Sequence, residues 1–198
     1  MKRSVLIGVV ASLFLACSAM AGQRYSHDIN IRATVPSVQG LNIAISRVRN
    51  ENGHENWTSA QEISFDDLEY DDQHQVFLAK SYYVVDVGVN TNAGDWTLTY
   101  SATSIVGPNN YKLDYHVNIT AVKQKTASSE MIGKIAYGDA LGPISFSKSD
   151  FSGGYWLRIY YGIATGDSAT DAPNTSPITT DVPAGTYTGT ITITLTTS

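Results

Sequence analysis

The chain has 198 residues, with 13 Lys and Arg against 18 Asp and Glu for a net charge of −5, and 42% of it is hydrophobic. An acidic chain without a basic cluster lacks the cationic surface that nucleic acid and anionic lipid attract, so neither is expected as a partner. The single cysteine, Cys17, falls in the opening segment, so the body has no thiol for a disulfide, a metal or nucleophilic catalysis.

Lys2 and Arg3 are followed by an almost wholly apolar run from Val5 to Leu15 and by Ala19-Met20-Ala21. This is the form of a secretory signal, residues 1–21, with cleavage expected after Ala21. The run is too short to anchor in a bilayer, and no later segment has membrane length, so no membrane insertion is expected. A lipoprotein site at Leu15-Ala16-Cys17 is the alternative, with Phe14 fitting it poorly.

Next comes His27–Val35, in which Ile29, Ile31, Ala33 and Val35 alternate with Asp28, Asn30, Arg32 and Thr34. A period of two puts one set on each face of an extended strand. Pro36 stops this strand, because proline cannot donate to a ladder. Residues 22–37 therefore read as an N-terminal extension and linker, and 38–198 as the body. Leu41, Ile43 and Ile45 alternate with Asn42, Ala44 and Ser46, whereas 49–59 is polar and reads as a long loop. A short strand is expected over 75–78. Residues 82–89 and 95–100, separated by the turn residues 90–94, suggest a hairpin. Gly107-Pro108-Asn109-Asn110 marks another turn. Tyr111, Leu113, Tyr115, Val117 and Ile119 suggest one long strand, and 120–131 has room for a short helix at most. Strands follow at 131–137 and 155–163, then a Gly/Ser/Thr/Asp/Pro-rich stretch, 165–183, reads as an exposed loop. The chain ends in the most regular alternation of all, Thr186–Thr197, with Tyr187, Ile191, Ile193 and Leu195 on one face and threonines on the other. Many short strands with turn signals between them define an all-β sandwich.

Residues that could carry chemistry are sparse. His27, His54, His74 and His116 have no metal-ligand spacing, and there is no nucleophile elbow or phosphate loop. Glu62 and Glu69 are carboxylates that nothing in the sequence brings together. Asp66-Asp67-Leu68-Glu69-Tyr70-Asp71-Asp72 offers oxygen ligands but lacks the order of a calcium loop, and a solvated acidic loop is the simpler reading. Three sequons, at Asn56, Asn118 and Asn174, matter only in a eukaryotic secretory route. Trp96, Tyr100, Tyr111, Tyr115, Tyr155 and Trp156 could line a sugar site, yet they lie inside strand patterns where aromatics usually pack as core. No catalysis and no cofactor are expected.

The two ends of the chain resemble a known family. Asp28-Ile29-Asn30-Ile31-Arg32-Ala33-Thr34-Val35-Pro36 and the closing Gly185-Thr186-Tyr187-Thr188-Gly189 strand look like the ends of the alpha-class (CS1/CFA-I-type) chaperone–usher fimbrial major subunits, which include the cable pilins. The resemblance implies an incomplete immunoglobulin-like β-sandwich, completed by donor-strand complementation. In that scheme Ile29, Ile31, Ala33 and Val35 are donor residues. Tyr187, Gly189, Ile191, Ile193 and Leu195 border the acceptor groove and meet the chaperone. The implied partners are a periplasmic chaperone, an outer-membrane usher, identical subunits in a fibre and, at its end, a tip adhesin. The implied location is the cell surface, reached through the periplasm, and the implied role is adhesion or biofilm formation. The chain has no room for an adhesin domain and carries a donor strand, so shaft is preferred over tip. It is longer than the usual major subunit of that family.

Two other readings stay open. Trp96-Thr97-Leu98 with the distant Tyr187…Leu195 partly matches a WxL-type cell-wall-binding surface protein, with Ile193 where an aromatic is usual. A self-contained secreted β-sandwich binding module would pair its first strand within its own chain.

Overall fold

The structure is a computed structural model and describes residues 39–66 and 68–198. The expected signal, residues 1–21, and the segment containing Ile29, Ile31, Ala33 and Val35 lie outside the described residues.

The described chain is all-β. Its strands are β1 (Gln39–Glu51), β2 (His54–Ala60), β3 (Leu68–Asp71), β4 (Val76–Ala79), β5 (Ser81–Thr91), β6 (Trp96–Ala102), β7 (Val117–Lys125), β8 (Ser128–Ala136), β9 (Ile144–Ser147), β10 (Trp156–Ile163), β11 (Ile178–Thr179) and β12 (Ile191–Thr197). Three short 3₁₀ segments interrupt them, and there is no α-helix among the described residues. All pairings are antiparallel. They build one six-stranded sheet in the order β2-β1-β5-β10-β7-β8 and two three-stranded sheets, β12-β6-β9 and β11-β4-β3.

Alternation decides which side chains meet. In β10, Leu157, Ile159, Tyr161 and Ile163 are almost fully buried, while Trp156, Arg158 and Tyr160 between them are only half-buried. Tyr83, Val85 and Val87 of β5 and Val117 and Ile119 of β7 extend the same inner face. Against it lie Trp96, Leu98 and Tyr100 of β6, so the inner faces of the six-stranded sheet and of β12-β6-β9 share one core. Trp96 stacks on Phe151 at a centroid distance of 6.0 Å, and Phe151 meets Phe146 of β9 at 5.9 Å. Each large apolar side chain buried this way contributes about 1.5–3 kcal/mol.

Several expectations need correction. The polar stretch 49–59 is not a loop. It is the end of β1, a two-residue turn and β2, in register Val48 to Trp57 and Glu51 to His54. Asn52 and Gly53 have φ of 55° and 80°, the pair of left-handed residues that a tight hairpin turn needs. Most of β2 is exposed, so no apolar alternation marks it.

Segments 82–89 and 95–100 do not form a hairpin. β5 pairs with β1 and β10, whereas β6 pairs with β12 and β9, so residues between Thr91 and Trp96 carry the chain from one sheet to the other. The strand expected over 111–119 begins only at Val117. Ahead of it the chain turns around buried Asp114, whose carboxylate accepts the Ile105 N–H at 2.7 Å while its carbonyl accepts the Gly138 N–H at 2.8 Å. Residues 120–131 continue β7 and enter β8 with a bulge between Ala121 and Val122, leaving no place for a helix.

Stretch 165–183 is largely the exposed loop expected, but it is anchored at Asp171, Ala172 and Ile178. Buried Asp171 accepts N–H groups from Thr165 at 2.9 Å and Gly166 at 2.7 Å and the side-chain amide of Asn118 at 2.9 Å. The Asn118 oxygen in turn accepts the Ala172 N–H at 2.7 Å. Ile178, in β11, is buried beside Phe77.

Leu98 is 1% exposed at the centre of the second sheet. Leu98→Ala is expected to lower unfolding free energy by about 2–5 kcal/mol in urea titration. Thr97→Ala, on the wet face of the same strand, is expected to stay within about 0.5 kcal/mol of the parent.

Candidate functional site: an open sheet edge

β12 keeps the alternation expected of it. Ile191, Ile193 and Leu195 are half-buried and pack against the core, while Thr192, Thr194 and Thr196 are exposed. Its register with β6 sets Ile193 opposite Tyr100 and Leu195 opposite Leu98. The β6 partners are 4% and 1% exposed, yet their β12 neighbours are not fully covered. The difference follows from sheet order. β6 is flanked on both sides, whereas β12 is a sheet edge, with no further strand beyond it among the described residues.

A second open edge lies on β1. β2 pairs with β1 only from Ile45 onward, so Gln39–Ala44 has β5 on one side and no ladder partner on the other among the described residues. At that same end Ile43, paired with core residue Val87, is 47% exposed. Leu41 and Ile45, on its face, reach the core only partly buried. An apolar side chain on the inner face of a sheet is normally covered by the layer opposite. In the second sheet β9 flanks one side of β6 and β12 the other, and the chain reaches β9 from β8. The 3₁₀ segment Tyr137–Ala140 packs on β7 and β8, and Leu141 just after it accepts the Ala102 N–H at 3.3 Å. The β12 end of the second sheet therefore extends toward β1. Ile43 on one sheet and Ile191, Ile193 and Leu195 on the other border the uncovered side of the core.

Tyr187 and Gly189, expected as part of the same strand, precede β12 and have other tasks. Thr188 and Val106 exchange both backbone hydrogen bonds, at 2.9 and 3.0 Å, and Thr103 N–H donates to Thr190 carbonyl at 2.9 Å. At Gly189 a Cβ would sit 3.1 Å from the Ile105 side chain and 3.2 Å from the Ser104 carbonyl, so the closeness of the two backbones favours glycine. The Tyr187 ring lies over Gly107, meets Tyr111 edge-on at 6.3 Å, and donates its hydroxyl to the Pro183 carbonyl at 2.6 Å. It pins the approach to β12 against the 105–111 turn instead of facing the open strip.

The remaining sequence candidates do not assemble into a chemical site. No group of three or more metal-ligating side chains occurs among the described residues. In the acidic stretch, Asp66 pairs with Arg47 at 3.5 Å, Glu69 with Lys80 and Asp71 with His74 at 2.7 Å; the His74 hydrogen bond holds the Asp71 carboxyl below its ordinary range. Trp96 and Leu98 are buried, so the Trp-x-Leu motif is core. Trp96 and Tyr100 match the core reading of the aromatics. Tyr115 and Trp156 do not: the first is 47% exposed and the second lies on the outer face of the large sheet. Comparison with protein-family models, with curated proteins and with solved structures finds no match.

A methyl group on Gly107 would overlap the Tyr187 ring. Gly107→Ala is therefore expected to cost about 1–3 kcal/mol in urea titration by forcing the ring off its seat. An unchanged midpoint would mean that Tyr187 does not hold the approach to β12.

Proposed function

We propose that this chain is a structural subunit of an exported, non-covalent surface fibre, a fimbrial or pilus shaft subunit. Its immunoglobulin-like sandwich lacks one strand. The alternating N-terminal strand of the next copy supplies it, with Ile29, Ile31, Ala33 and Val35 set into the strip bordered by β1 and β12. The observation that carries the reading is a coincidence at one place. The unpaired edge of β12, the unpaired first half of β1 and the half-exposed Ile43 all bound the same side of the core.

Open edges of this kind attract further strands, and soluble proteins normally block them. Here the exposed threonines of β12 add no charge against a newcomer, and no proline interrupts Ile191–Thr197. A strand entering between β12 and Gln39–Ala44 pairs its backbone on both sides and places alternate side chains in the core, the mode of β-augmentation. Residues 27–35 have the matching alternation and, at about 3.4 Å per residue, a length of about 30 Å. Each isoleucine or valine fully buried contributes about 1.5–3 kcal/mol, enough in sum to make a very long-lived joint. During export a periplasmic chaperone occupies the edge first, and an outer-membrane usher exchanges it for the next subunit. The work is structural, without catalysis or cofactor. A wall-binding role through Trp96-Thr97-Leu98 is less well supported, since Trp96 and Leu98 have no surface to offer.

Deletion of residues 23–35 tests the proposal on the cell surface. The expected result is loss of SDS-resistant, heat-sensitive multimers, with a foldable monomer retained by the chaperone. A normal secreted monomer, or a chain that merely unfolds, would contradict it and favour a self-contained sandwich.

A further inference from the structure

The outer face of the six-stranded sheet, opposite the core, carries a cluster of rings that the fibre role does not use. Trp57 of β2, Tyr82 of β5 and Trp156 and Tyr160 of β10 share this face with Arg158 and Asp86. Their undersides cover three valines that are 0%, 1% and 7% exposed, Val48, Val84 and Val122. Covering the sheet explains why large side chains stand here. It does not explain how they are held.

Three of these rings, Trp57, Tyr82 and Trp156, donate their polar group to a carboxylate. Glu55 accepts the Tyr82 hydroxyl at 2.7 Å on one oxygen and the Trp57 indole N–H at 3.2 Å on the other. Asp86 accepts the Trp156 indole N–H at 2.8 Å and both arms of Arg158 at 2.7 and 2.8 Å. The Arg158 guanidinium lies 5.5 Å from the centre of the Trp57 ring and 6.0 Å from that of Trp156, within cation–π range of both. Tyr82 and Tyr160 stand 6.2 Å apart. The hydrogen bond to Asp86 raises the Arg158 pKa, favouring its charged form. The result is a set of fixed rings with apolar faces outward, Trp57 being 42% exposed, bordered by carboxylate oxygens that retain free lone pairs.

We infer that this outer face is a binding platform for a neutral oligosaccharide. Pyranose rings present flat C–H faces that lie on aromatic rings, and their hydroxyls donate to carboxylates. Preset aromatic surfaces with a few placed polar groups are the usual make-up of small-ligand sites. Charge selects the class of sugar. Within the cluster two carboxylates, Asp86 and Glu55, stand against the one guanidinium of Arg158, which Asp86 already pairs, a balance that disfavours a sialylated or sulfated glycan, a phosphate or a nucleic acid. It faces away from the β1–β12 strip and does not depend on the fibre reading. In a fibre, repetition along the shaft would multiply weak single contacts.

The test uses the full chain in its exported form and measures tryptophan fluorescence. The probes are cellohexaose, chitohexaose and lacto-N-tetraose, with sialyllactose and a heparin tetrasaccharide as anionic controls. Saturable quenching by at least one neutral probe is expected, together with no response to the anionic ones. Trp57→Ala is expected to weaken that binding about tenfold or more, the loss of one good contact. Trp57→Phe, which keeps a ring, is expected to recover much of it. Trp57 sits on an exposed hairpin, so both variants should fold cooperatively, with the midpoint of Trp57→Phe matching the parent and that of Trp57→Ala at most slightly lower. Absence of neutral-sugar binding, preference for the anionic probes, or Trp57→Ala binding as tightly as the parent would each overturn the inference. A Trp57→Ala variant that changes only self-association would assign the face to a second copy and overturn it equally.

Discussion

An unpaired strand edge beside an uncovered apolar face is the constraint around which this molecule is arranged. Backbone N–H and C=O groups need partners, and half-exposed isoleucines need a cover. In β12 and the first half of β1 both needs arise together and on the same side. The interior strands of the sheets, by contrast, are closed on both sides. β5, β10 and β7 have neighbours on both sides, β6 is flanked by β12 and β9, and the core between them is built from side chains at most 9% exposed. The open side beside Ile43 and β12 thus follows from the order of the strands.

That order is set by how the chain changes sheets. The link after β5 takes the chain into the second layer instead of folding it back as a hairpin. β6 then collects its partners from far along the sequence, β9 on one side and β12 on the other. No described strand flanks the other side of β12. Tyr187, seated on Gly107, and the close approach of Gly189 to Ile105 fix the register in which it arrives. The functional proposal therefore rests on topology and packing, and no reactive group is involved.

How much of this was legible in the sequence depended on whether a strand has one wet face. The period of two in Ile191–Thr197, Trp156–Ile163 and the first half of β1 is visible because one face is apolar and the other polar, and these strands stand where expected. β2 was hidden because nearly all its residues are exposed, leaving only Asn52-Gly53 to mark a hairpin. The long strand through Tyr111–Tyr115 was suggested by alternation that in fact belongs to a turn around Asp114, whose role is a matter of tertiary hydrogen bonding. Strand neighbours were not legible at all: the sequence says that β5 and β6 are strands, not that they belong to different layers. Among the site residues, Ile191, Ile193 and Leu195 were readable from alternation alone. Tyr187 and Gly189 were not distinguishable from them, and Ile43 and the ring cluster around Arg158 emerge only from sheet order.

The most direct measurement of the central claim is complementation in solution. A chain lacking residues 22–37 is mixed with a synthetic peptide of residues 27–35, and the thermal midpoint is followed with peptide concentration. The account predicts a saturable, one-to-one rise in midpoint that vanishes when Ile29 and Ile31 of the peptide are changed to Asp. No rise with the parent peptide, or an equal rise with the Asp-substituted one, would contradict the claim that the strip between β1 and β12 is completed by this strand.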